Sequence, residues 1–280
     1  MFRMTRRGIL VVLLISLSSI VGCSTTSEKE VLTEEEVTRR EANINSELVV
    51  RFESQIKFQE DKDVAVYLRK IAETLTQASP ELVSSPVGVW LIQSRTKKWE
   101  SYSLPGNRIY LSGAILKKFE YENEVAALLA LQLGHLVHHQ VLKKLDELLE
   151  PKKDIQSPID PTHKFKKKEL KVLSSPRGQE FVRMAQYFGP NGVFAYNEDE
   201  HLEAIQGAVE VLYTAGYDAR GLISLFELFR KNLKYSPYDS DTLDKMIERA
   251  RYEVAQFAPL RNPIVRTQSF TSIQKRFQRL

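Results

Sequence analysis

Apolar residues at Val64, Val66, Leu68, Ile71 and Leu75 recur at helical spacing, which predicts an amphipathic helix over 61–79. The run PVGVWLIQS, 86–94, is rich in β-branched and aromatic residues and predicts a buried strand. SYSLPGNRIYLSGAIL, 101–116, places a Pro-Gly-Asn turn between two short extended pieces. From Glu122 to Leu149 the pattern is apolar over long stretches with no Pro, and it predicts one long helix. Helical patterns resume at about 177–188, 198–215, 218–233 and 240–257, and a short helix over 270–278 is expected in the segment after Pro259. No internal repeat is present. The expected fold class is α+β, mainly helical, with one small early sheet packed on a helical bundle.

The two ends of the pattern and one interior gap differ from this. Arg3, Arg6 and Arg7 precede an apolar stretch from Gly8 to Ile20, which is short for a bilayer span of roughly 20 residues. It ends in Ile20-Val21-Gly22-Cys23, an order that predicts an export signal over 1–22 and lipid attachment at Cys23. The other reading is an ordinary secretory signal with an incidental cysteine. Ser24 after the Cys favours the outer membrane facing the periplasm. Residues 23–50 read as a lipidated, polar tether running into a helix, 51–258 as one domain, and 259–280 as a tail. Within the domain, 151–176 holds Pro151, Pro158, Pro161 and Pro176 and is expected as a long inserted loop.

Charge and cysteine count narrow the chemistry. The formal net charge of +4 falls by three when the signal arginines are set aside, so it gives no basis for a nucleic-acid partner. Cys23 is the single cysteine, which excludes an intramolecular disulfide and any cysteine-based metal site or thiol nucleophile in the domain. No serine sits in a G-x-S-x-G elbow, and no glycine-rich phosphate loop is present. The basic run FKKKELK, 165–171, reads as a solvated loop or a contact for acidic headgroups or an acidic partner.

Four stretches, in order, resemble the gluzincin metallopeptidases of the HtpX and BepA type: SYSLPGNRIYLS, ENEVAALLALQLGH, HLEAIQGAVEVLYTAGYDARG, and the last long helix with Arg249. The resemblance spans roughly 50–255. It implies a helix carrying H-E-x-x-H, two histidines four apart facing one zinc ion, with the glutamate as general base. In this chain the first ligand position is Leu131 and the base position is Gln132; His135 stands at the second ligand. The third-ligand position on the later helix is His201, and the position of a supporting aspartate is Ile205.

Leucine cannot ligate zinc, and burying Leu131 and Ile205 would contribute roughly 1.5–3 kcal/mol each. The expected protein is therefore a pseudoprotease with no zinc or other cofactor. The competing reading is an active zinc endopeptidase with a rebuilt site of His135, His139 and His201, although Leu136 leaves that site without a base. His138 and His139 otherwise read as partly exposed helix residues, Glu200 and Glu203 are the carboxylates nearest His201 in sequence, and His163 carries no spacing signal. The resemblance also implies an open sheet edge beside the cleft, at Arg108, Ile109, Tyr110, Leu111 and Ser112, to which an extended polypeptide adds as a strand. The function implied is a non-catalytic polypeptide-binding or scaffold lipoprotein in outer-membrane assembly or quality control.

Overall fold

The computed structural model describes residues 33, 35, 48–78, 86–94, 97–149, 187–189 and 192–280. The expected signal segment, Cys23, His163 and the loop 151–176 lie outside the described residues, as does most of the helix expected at 177–188. The described chain is mainly helical with one four-stranded mixed sheet, in agreement with the α+β expectation.

Strand β1 (Lys57–Phe58) precedes helix α1 (Lys62–Gln77). Asp61 starts α1 by accepting from the backbone N–H groups of Asp63 and Val64, both at 3.1 Å. The helix buries Val64, Tyr67, Leu68, Ile71 and Leu75, while Val66 is exposed. Tyr67 takes the place expected for Val66, because the 3.6-residue period puts 64, 67, 68 and 71 on one face.

Strands β2 (Gly88–Gln93), β3 (Ser101–Leu104) and β4 (Arg108–Ser112) complete the sheet, whose order is β1-β2-β4-β3. β4 is parallel to β2, with Trp90 opposite Tyr110, and antiparallel to β3, with Tyr102 opposite Tyr110. The β3–β4 turn uses left-handed backbone at Gly106 (φ 78°) and Asn107 (φ 55°), residue types that accept it at little cost. A single turn, α2 (Gly113–Leu116), follows β4.

Helix α3 (Glu122–Val137) is the axis of the molecule: every residue from Glu122 to Leu136 is buried. The one long helix expected over 122–149 is broken. His139 sits at φ 50°, and α4 (Gln140–Leu149) leaves at a bend of 50°. Neither Pro nor Gly marks this break in the sequence. The bend turns Gln140 back under α3, where its fully buried amide bridges three partners described below. Among the described residues no single helix is long and apolar enough to cross a membrane.

Helix α5 (Glu198–Thr214) packs along α3 more extensively than any other pair of elements. It ends at Gly216 (φ 81°), where Tyr217 N–H reaches back to the Leu212 carbonyl at 2.9 Å, as the Ala-Gly-Tyr-Asp stretch suggests. Helices α6 (Arg220–Lys231) and α7 (Ser240–Ala255) close the bundle. The segment expected as a tail is part of the same core: α8 (Gln268–Phe277) buries Phe270 and Phe277 fully, and Phe277 meets Tyr67 of α1 edge-on at 6.0 Å. Glu122 at the start of α3 also accepts from Thr267 N–H at 2.8 Å.

Where α3 crosses α5 there is no room for a side chain at Gly134. A Cβ there would overlap the backbone carbonyl oxygen of Ala204, and Gly207 faces Gly134 across the same crossing. Gly134→Ala is expected to destabilise the fold by about 1–3 kcal/mol, because a backbone rather than a flexible side-chain tip must yield. Urea denaturation checks this, and an unchanged midpoint would show that the crossing is looser than described.

Candidate functional site

The α3–α5 crossing sets His135 and His201 face to edge. His135 is on the last turns of α3 and His201 on the first turn of α5, with ring centroids 5.6 Å apart and planes at 78°. Asn197 fixes the start of α5: its side chain accepts from Glu200 N–H at 2.9 Å, and the Glu200 carboxylate accepts from Asn197 N–H at 2.6 Å. The residue before this cap, Tyr196, stacks flat on His135 with centroids 4.2 Å apart. Tyr238, in the turn before α7, meets His201 edge-on at 5.3 Å.

The two imidazoles line a cavity of about 520 Å³ together with Gln132, Tyr102, Phe194, Tyr196 and Tyr238. Ser101 of β3 forms part of its wall, and Gln132 Nε2 donates to Ser101 Oγ at 3.0 Å. At the base position, then, stands an amide that ties the helix to the sheet. The residues at the first-ligand and supporting-aspartate positions, Leu131 and Ile205, are fully buried members of the main hydrophobic core.

Gln140 organises the far side of His135. Its Nε2 donates to the Glu200 carbonyl at 2.7 Å and to the Glu203 carboxylate at 3.3 Å, so its Oε1 is left to accept from His135 Nδ1–H. This arrangement places the imidazole proton on Nδ1 and the lone pair on Nε2. Burial pushes the pKa of His135 down to about 3, with neighbouring His201 adding to the effect and the Gln140 contact opposing it. Burial alone lowers His201 to about 4. Its Nδ1 is buried without a hydrogen-bond partner. Burial raises the phenols of Tyr196 and Tyr238 well above the usual tyrosine range. These two imidazoles and two phenols are therefore held neutral near pH 7.

The rebuilt trio of the competing reading is not brought together. His139 occupies the left-handed position that ends α3, and among the described residues no three or more His, Cys, Asp or Glu side chains converge as a metal site. The donors that do converge are two imidazoles flanked by an amide and phenols, with Leu131 turned into the core. That set does not fit a zincin centre. His138 is half-buried at the same crossing, where it approaches Gly207.

The expected binding edge is also corrected. β4 lies inside the sheet, hydrogen-bonded to β2 on one side and β3 on the other, so Arg108, Ile109, Tyr110, Leu111 and Ser112 offer no open edge. Tyr110 is fully buried and donates to Glu53 at 2.8 Å, and Arg108 pairs with Glu53 at 3.2 Å while lying over the Trp90 ring. The strand at the sheet border beside the cavity is β3. Because Ser112 N–H donates to the Glu100 carbonyl, antiparallel alternation turns the backbone groups of Ser101 and Ser103 away from β4. Ser103 is covered; Ser101 and Tyr102 are half-exposed at the cavity.

Sequence reasoning missed Tyr196, Tyr238, Phe194 and Gln140. The one available signal was the aromatic run before the Asn197 cap, in VFAYNEDEH.

The lowered histidine pKa values carry a prediction. The unfolded chain protonates its imidazoles near 6.5, and the folded chain does so only near 4 and 3. Below about 6.5 the unfolded state therefore holds more protons, and stability falls on acidification by up to about 1.4 kcal/mol per pH unit for each imidazole. Urea denaturation at pH 7.5 and 5.0 should show a smaller acid loss for His201→Phe than for the natural chain. Parallel losses would mean that His201 is not held neutral by burial.

No family model matches this chain, and neither does any curated protein.

Proposed function

We propose that the chain is a degenerate gluzincin-like protein, lipid-anchored at Cys23 in the cell envelope, whose cavity holds an extended polypeptide without cutting it. Outer-membrane assembly or quality control is the setting that the resemblance implies, with the anchor facing the periplasm. Support for the holding role comes from one arrangement: the outward backbone groups at Ser101 meet a 520 Å³ cavity floored by His135 and His201. The first-ligand and supporting-aspartate positions that the resemblance implies are meanwhile packed as core by Leu131 and Ile205. An added strand draws its affinity from backbone hydrogen bonds, which require neither metal nor base. A proline at Tyr110 would break the sheet interior and report nothing about binding, so the test belongs on β3.

The experiment is fluorescence anisotropy of labelled extended peptides with the purified full chain. Ser101→Pro removes an outward backbone donor, while Ser101→Ala removes only the hydroxyl. Affinity should fall about tenfold or more for the proline variant and stay within about twofold for the alanine variant. Mass spectrometry should find the peptide intact after prolonged incubation. Equal affinity for both variants would exclude strand addition at β3, and cleavage lost in His135→Ala would replace holding with proteolysis.

A further inference from the structure

Positive charge concentrates in one stretch of the chain. Residues 256–280 hold five Lys or Arg and no Asp or Glu, against a net charge of +4 for all 280 residues. In the fold this excess gathers on α8. Phe270, Ile273 and Phe277 face the core, so the 3.6-residue period turns Ser272, Lys275 and Arg279 outward, and all three are exposed. Along one flank, Gln274 Nε2 donates to the Phe119 carbonyl at 3.1 Å and Gln278 Nε2 to the Lys117 carbonyl at 2.9 Å. These contacts lay 117–119 beside the helix and bring exposed Lys118 to its side. Exposed Arg266, just before α8, reaches the Glu120 carbonyl at 3.5 Å.

Neighbouring acids neutralise little of this charge. Asp61 and Asp63 both pair with Arg276 on the opposite flank. Glu122 and Glu124 are buried and accept from backbone N–H groups, which leaves exposed Glu120. Among the described residues no carboxylate pairs with Lys118, Arg266, Lys275 or Arg279. Tyr121, 44% exposed, stands at the same rim, and an amphipathic ring of this kind suits a membrane–water interface. The face is remote from the cavity. Thr267, which caps α8, donates its N–H to Glu122 at the start of α3, and His135 lies roughly 20 Å farther along that helix.

We infer that this basic face rests on an anionic lipid surface and holds the cavity away from it. The inference rests on the lipid-anchored reading and adds an orientation to it. Each basic side chain at an anionic surface favours contact by about fivefold, so four of them set against one carboxylate give about a hundredfold. That is too little to recruit a free chain and enough to orient a tethered one. The 24 residues between Cys23 and Leu48 reach up to roughly 80 Å, so attachment alone does not choose which face meets the bilayer.

The test uses the full chain, exported, lipidated and placed in vesicles of phosphatidylcholine alone or mixed equally with phosphatidylglycerol. Both carry a nitroxide-headgroup lipid as quencher. A fluorophore is attached at Ser272→Cys on α8 or at Asp241→Cys, an exposed position beside the cavity residues Asp239 and Thr242. Quenching at Ser272 should be at least about twofold greater in the anionic vesicles, while Asp241 stays weakly quenched in both. High salt should abolish the excess. The triple variant Lys118→Gln/Lys275→Gln/Arg279→Gln should lose it too, with helix content unchanged by circular dichroism. If that variant loses helix content, Lys275→Gln/Arg279→Gln is read in its place. Equal quenching in the two vesicles, or an excess that survives charge removal, overturns the inference while the anchor stands. A chain that mass spectrometry finds unacylated at Cys23 overturns the anchored reading, and this inference with it.

Discussion

The close crossing of α3 and α5 is the constraint on which the rest depends. Gly134 and Gly207 let two helix backbones approach until Ala204 occupies the space a side chain would need. That approach brings His135 within 5.6 Å of His201 and drives Leu131 and Ile205 into the same apolar core. A wider crossing would separate the imidazoles and open a void between the two aliphatic side chains. Both the cavity floor and the packed core above it are consequences of one backbone contact.

The polar network at the end of α3 follows from the bend after it. Because His139 adopts a left-handed conformation, Gln140 can turn inward and join His135 to the Glu200 backbone and the Glu203 carboxylate. The network fixes which nitrogen of His135 carries the proton, and burial keeps both rings neutral over the physiological range. The site is largely aromatic, with its two imidazoles held neutral and Gln132 engaged in a structural bond to Ser101.

Much of the fold was legible because periodicity and caps agree. Asp61, Asn197 and the Gly216 turn are local signals, and the helices they bound start and stop close to where the pattern changes. What escaped was set by tertiary contacts. The break at His138–His139 carries neither proline nor glycine, and the helical pattern resumes beyond it with Val141, Leu142 and Leu145 buried. Val66 and Tyr67 exchange roles because a two-residue apolar run does not say which member faces inward. Arg108 to Ser112 alternates as an edge strand would, yet strand order depends on pairing partners far along the chain, and β3 took the border instead. Of the site, His135, His201 and Gln132 were singled out through the resemblance, while Phe194 and Tyr196 were marked only by the aromatic run before Asn197 and Tyr238 by no motif.

The central claim is that the β3 border and the cavity beside it hold a polypeptide. Hydrogen–deuterium exchange of the full chain, with and without a saturating extended peptide, tests it most directly. Protection should rise at the outward amide of Ser101 and across 194–196, with β4 unchanged because its amides are already paired. Protection that rises only elsewhere, or at none of these positions despite saturation, would contradict the claim.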